Sequence, residues 1–188
     1  DTVAGTRCSI FVNGEFFDNC GIRIRGNTSR SWPKKSHKIE GNSGRRFPYK
    51  AGLPRVSEFD LNTTYTDKSY VRAQMVTEMY QAAGLASPDI FPVQVRQNNA
   101  FYSVAHYVEQ PDSDFLNRYG IDPNGSYYKA VGDRGACNFT SAAAFEKKTR
   151  LAEGYADLEA LVTAIGLTGT ALETWLFDNL DVPQVVNF

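Results

Sequence analysis

The chain has 188 residues, 42% hydrophobic and 13% aromatic. That is enough to bury a core without disulfide or metal staples, and it fits one domain or a lobe of a larger one. Charges nearly cancel at a formal net of −1, which excludes a bulk pull toward nucleic acid or an anionic membrane surface. No apolar run is long enough to span a bilayer, and the first residues lack the apolar segment of a signal peptide. The expectation is a chain that is cytosolic or has lost a leader.

In chain order, Cys8–Val12, an Asn13-Gly14 turn signal and Phe16–Ile24 read as a hairpin. Mirror pairing across that turn sets Cys8 near Asn19, which leaves both a Cys8–Cys20 disulfide and buried free thiols open; Cys137 is the odd third cysteine, and none has metal-ligand spacing. Nearly half of the twenty Lys and Arg lie between Arg23 and Lys50. Ile22 and Ile24 alternate with Arg23 and Arg25 as in a half-buried strand, and Lys35–Glu40 reads as the next. Between them the loop Gly26–Pro33 holds Thr28, Ser29, Ser31 and Arg30, with Lys34 and Lys35 behind it. Free N–H groups and cations converging there would suit phosphate oxygens.

Residues 41–56, rich in Gly, Arg and Pro, read as a surface connection, and Ser57–Asn62 as a strand with Phe59 and Leu61 inward. Thr66 or Asp67 caps a helix that runs to about Ala83 and stops at Gly84. Its apolar face holds Val71, Met75, Met79 and Ala82, with Glu78 on the border. A carboxylate there needs a cation or donors, or else sits solvated at the wet edge; Lys38 and Lys35 are the candidate partners. Phe91–Arg96 and Phe101–Glu109 form a second hairpin, with Phe91, Val93 and Val95 alternating in one strand and Tyr102, Val104, His106 and Val108 in the other. His37 and His106 have no companions at ligand spacing and read as structural. Asp114–Tyr119 is a short helix, Ser126–Val131 a strand, and residues 132–148 resist assignment. Asp133 and Asp157 are acidic but lie in no metal or catalytic spacing. Helices follow over Asp157–Ile165 and Thr168–Asn179, the second expected to bury Leu172, Trp175 and Leu176. Another opens at Asp181 and stops after two turns.

The run Arg23-x-Arg25-Gly26-Asn27-Thr28-Ser29-Arg30 with Lys34-Lys35-Ser36-His37-Lys38-Ile39 resembles the signature of the spore coat protein H (CotH) kinase family. Asp67-Lys68-Ser69, Val108-Glu109-Gln110, Asp114-Phe115-Leu116 and Gly125 with Tyr127-Tyr128-Lys129 agree with it in order, so the resemblance covers roughly residues 8 to 188. It implies an α+β fold: a mainly antiparallel sheet with a packed helix as a kinase-like small lobe over 1–112, and the start of a helical large lobe over 113–188. It also implies ATP with Mg or Mn as cofactors, bound through Arg25, Ser29, Arg30, Lys35, Lys38, Glu78 and Glu109. Glu78 would brace the phosphate-gripping lysine, as a helix glutamate does in protein kinases. Glu109–Asp112 would be the hinge where adenine meets backbone groups, unless it is an ordinary strand ending in a turn.

The implied activity is transfer of the γ-phosphoryl group of ATP to Ser or Thr of a secreted or surface-coat protein, outside the cell or on its surface. The aspartates that hold metal and perform transfer would lie past the opened final helix. Weak nucleotide binding and no turnover are therefore the expectation for these residues alone, with no catalytic residue assigned. From the residues themselves, two alternatives stand beside it. One is a non-catalytic adhesion or structural module whose basic loop binds acidic polymers; the other is a scaffold that keeps nucleotide affinity only.

Overall fold

A computed structural model describes residues 5–131, 139 and 141–187; Asp133 and Cys137 lie outside the described residues. The chain divides into two compact units, Asp1–Tyr119 and Gly120–Phe188. The fold is α+β, built on an antiparallel sheet as the sequence leads one to expect.

In the first unit, β1 (Thr6–Val12) and β2 (Glu15–Arg25) form the expected hairpin. Asn13 and Gly14 both take positive φ, 47° and 84°, the backbone a two-residue turn needs to match strand twist. Strands β3 (Ser36–Glu40), β4 (Glu58–Thr63), β5 (Ile90–Gln97) and β6 (Ala100–Glu109) complete a six-stranded sheet in the order β1-β2-β3-β4-β6-β5. A second such turn, with Asn98 and Asn99 at φ 49° and 65°, joins β5 to β6.

Period-two alternation sorts the side chains onto two faces. Ile39 lies opposite Phe59, and Leu61 and Phe91 lie opposite Tyr107; these residues form or pack on the core. In β6 the core side chains are Ala105 and Tyr107, neighbours in the chain of the alternating set expected from the sequence. Segment 41–57 is no mere surface connection. Phe47, Tyr49 and Val56 fold over the core: Phe47 is fully buried and meets Phe59 at 5.1 Å, and Tyr49 stacks on Tyr107 at 5.1 Å. A backbone bridge between Phe47 and Val56 holds the cover shut.

Helix α1 (Arg72–Ala82) lies along β5 and begins later than expected. The Asp67 carboxylate accepts from the Ser69 and Arg72 N–H groups, but Tyr70 sits at φ 62° and keeps the turn from joining the helix. Helix α2 (Ser113–Arg118) is capped by Asp112, whose side chain accepts from the Asp114 and Phe115 N–H groups, the arrangement that satisfies orphan donors.

In the second unit β7 (Tyr128–Ala130) pairs with β8 (Phe145–Lys147), followed by α3 (Ala156–Ile165), α4 (Gly169–Asn179) and α5 (Val182–Asn187). Leu172, Trp175 and Leu176 of α4 are half-buried. Lys147 is buried, donates to the Gly154 carbonyl at 2.6 Å and lies over the Tyr128 and Tyr155 rings.

Candidate functional site

The alternation that sends Ile22, Ile39, Phe59 and Leu61 toward the core sends Arg23, Arg25, Lys38, Glu58, Asp60 and Asn62 to the other face. Strand register then brings charges together, because Lys38 lies opposite both Arg23 and Asp60. Asp60 is the centre of the group. It is 1% exposed; its Oδ2 receives Arg25 Nη1 at 2.6 Å and the Gln110 amide, and Arg25 Nη1 also donates to Asn62 Oδ1 at 2.6 Å. Among the described residues, Asp60 Oδ1 is buried with no hydrogen-bond partner. Burial pushes the Asp60 carboxyl up to about 6, although Arg25 and Lys38 pull it down. Lys38 Nζ lies 2.8 Å from Glu58 and 3.7 Å from Glu40, and Arg23 Nε lies 3.6 Å from Glu40. The Arg25 and Lys38 side chains keep 26% and 16% exposure, so each cation is fixed from below and still reachable.

The loop after Arg25 closes on itself. Thr28–Arg30 is a short 3-10 helix, and the N–H groups of Arg30, Ser31 and Trp32 donate to Asn27, Thr28 and Ser29 carbonyls. Those donors, expected to face an anion, are used inside the turn. Ser29 Oγ approaches the Arg25 carbonyl at 3.5 Å and Lys35 Nζ donates to the Arg30 carbonyl at 2.7 Å. Gly26 has φ 97°, and a Cβ there would fall 2.0 Å from Ser29 Oγ, so only glycine admits this bend. Trp32 meets the Tyr65 ring at 5.8 Å, setting the loop against the segment that leads into α1.

The expected ion pair of Glu78 with Lys38 or Lys35 is not formed, because Lys38 is taken by Glu58 across one strand. Glu78 is exposed, accepts from Gln74 Nε2 at 2.7 Å, and lines a cavity of about 290 Å³ with Tyr49, Lys50, Gln81 and Asp89. Glu109 is 2% exposed and held by a fork from Arg118 on α2; it also accepts the Asp89 N–H at 2.9 Å. Its side chain ties α2 to the sheet, while the next residue, Gln110, reaches the Asp60 group.

Asp157 accepts from the Tyr128 hydroxyl, and hydrogen bonds from Ser126 and Tyr128 hold its carboxyl down to about 2. His106 Nε2 meets the Tyr70 carbonyl at 2.8 Å, in a structural role. Among the described residues no three His, Cys, Asp or Glu side chains gather as a metal site, and no helix is long and apolar enough to cross a membrane.

The residues that sequence reasoning missed are Glu58, Asp60 and Asn62, together with the reach of the hinge residue Gln110 to Asp60. The first three were visible as the polar alternates of the strand whose apolar set is Phe59 and Leu61, but their partners were not.

An antiparallel sheet with a row of braced cations on the face away from its core defines an α+β domain. Residues 22–188 match the family described as CotH kinase protein, and the chain belongs to that family. No curated protein matches it.

Proposed function

We propose that the chain is the nucleotide-binding part of a CotH-family protein kinase and that Arg25 and Lys38 receive the phosphates of ATP. The observation that carries this reading is the Arg25–Asp60–Lys38 arrangement. Two partly exposed cations are fixed by carboxylates, so little reorganisation is needed when an anion arrives, and positioning with charge neutralisation is most of what phosphoryl transfer asks of a protein. Asp60, with Glu58, takes the bracing part expected of Glu78. Arg30 and Lys35 stand in the adjoining loop, and Gln110 links the end of β6, the hinge of this reading, to the phosphate end. Mg²⁺ or Mn²⁺ would arrive on the phosphates, since such ions keep several waters and need few protein ligands. In this reading residues 1–112 are the small lobe and 113–188 begin the large one, with α2 grouping with the first compact unit, and the whole protein phosphorylates Ser or Thr of a secreted or coat protein.

Thermal shift with Mg-ATP, against sulfate and an acidic oligosaccharide, tests it. ATP-selective stabilisation is expected, with binding weakened roughly tenfold or more in Arg25→Ala and Lys38→Ala, the loss of a charge-assisted hydrogen bond. Equal stabilisation by every polyanion, or an ATP response that survives both substitutions, overturns the reading; the first of these favours a module that binds acidic polymers.

A further inference from the structure

From the turn outward the β1–β2 register runs Val12 with Glu15, Phe11 with Phe16 and Ile10 with Phe17, and uninterrupted it would set Asn19 opposite Cys8. Instead the register shifts between Cys8 and Ile10, and Cys8 lies directly opposite Cys20. The cause is a one-residue bulge at Asp18-Asn19. Asn19 takes φ 56°, a left-handed conformation asparagine tolerates better than most residues. Ser9 Oγ donates to Asp18 Oδ1 at 2.7 Å, Arg7 to the Asn19 carbonyl at 3.1 Å and Asn42 to the Asp18 carbonyl at 2.8 Å. These bonds pin the bulge on both sides.

Directly opposed residues of an antiparallel pair have Cα atoms about 4.5–5.5 Å apart, inside the roughly 4.4–6.8 Å that a disulfide spans. Both side chains also turn the same way: Cys20 is 1% exposed within the core cluster and half-buried Cys8 packs on that cluster. Cys20 lines a cavity of about 230 Å³ beside Phe17, Asn42 and Arg45. Both thiols are free.

We propose that Cys8 and Cys20 form a cross-strand disulfide site, closed by thiol–disulfide exchange with an external disulfide such as oxidised glutathione. The Cys8 thiolate attacks one sulfur of that reagent, forming a mixed disulfide and releasing one thiol. Cys20 then loses its proton and attacks Cys8 Sγ, releasing the second. Two protein thiols are oxidised, one external disulfide is reduced to two thiols, and the two protons pass to the departing thiolates. Burial, and then the neighbouring Cys20, raise the Cys8 thiol. Burial followed by Asp18 raises Cys20, partly offset by Arg45 and Arg7. Closure is therefore slow at neutral pH and accelerates as pH rises. The bond closes a loop of about 13 residues and staples β1, which among the described residues has β2 as its single neighbour in the sheet.

The full chain is equilibrated in oxidised glutathione, freed of it, unfolded in denaturant with excess alkylating reagent and digested with trypsin. Cys8 and Cys20 fall on one tryptic peptide, Cys8–Arg23. That peptide is expected to be lighter by two hydrogen atoms and unalkylated, with its halves still joined after cleavage at Glu15. In a Cys137→Ser background, oxidation is expected to raise the melting temperature by roughly 5 °C, and adding Cys8→Ser to abolish the rise. Full alkylation of both thiols, a Cys8 or Cys20 joined to Cys137 or to another molecule, or equal melting of the oxidised and reduced chains overturns the proposal.

Discussion

Asp60 faces Arg25 from β2, Lys38 from β3, its strand neighbour Glu58, and the Gln110 amide, under almost complete burial. Burial outweighs the cations, so the carboxyl is pushed up to about 6 in the fold from an ordinary value near 3.9 in the unfolded chain. The folded state therefore takes up a proton that the unfolded state lacks between about pH 4 and 6. This group's contribution to stability is fully present below about pH 4 and is lost as pH rises through 6. Asp60→Asn removes that titration while its amide oxygen can still accept from Arg25. Urea midpoints from pH 4 to 7 are expected to show the wild type losing ground to Asp60→Asn as pH rises, by an amount of order 3 kcal/mol; parallel profiles would reject the assignment. Arg25 and Lys38 were legible in the sequence because strand alternation puts them on a polar face. Asp60 was not, because its meeting with them depends on the register of β3 against β4, which the intervening cover segment separates in sequence. The Gly26 bend was legible as a loop, but not that its N–H groups close a helical turn.

Helix α1 shows the limit of periodicity. Its apolar set was expected inward, yet Val71, Met75, Met79 and Ala82 are exposed, Met79 by 68%, as is Val76, and Thr77 is the buried residue of the helix. The polar side is drawn to the sheet instead: Gln81 Nε2 donates to the Ser87 carbonyl and to Asp89 Oδ1, each at 3.2 Å, and Asp89 is buried. Satisfying a buried carboxylate outweighs the burial of two flexible methionines. Met79→Lys is accordingly expected to change the stability of this chain by less than about 0.5 kcal/mol, the ordinary scale for a surface position. A loss of about 2–5 kcal/mol in chemical denaturation, typical of a truncated core methionine, would place the residue inside. The strands fared better, since hairpin turns and alternation are local signals. β8 was missed because three residues carry too little pattern, and the β1–β2 bulge because nothing local distinguishes Asn19 from a regular strand residue.

For the whole molecule, the sequence indicated an α+β chain with an antiparallel sheet, and composition indicated a core, but not how that core is shared along the chain. Among the described residues, the main cluster draws its members from between Cys8 and Tyr107, with the 41–57 segment as its cover. Among the described residues of the second unit, the buried apolar side chains are Phe145, Leu158 and Ala164. Stability follows apolar area removed from water, and a short chain with few such residues does not offset its conformational entropy. A fragment ending at Tyr119 keeps the complete sheet, its cover and the Glu109–Arg118 pair that ties α2 to β6. It is therefore expected to melt cooperatively, with a midpoint within about 5 °C of the full chain, whereas the 120–188 fragment is expected to show no cooperative transition. Circular dichroism melts of the two fragments beside the full chain decide this. A 1–119 fragment without a β signature would mean that the sheet depends on residues outside its own core, and a cooperative 120–188 fragment would mean that the few apolar residues there suffice.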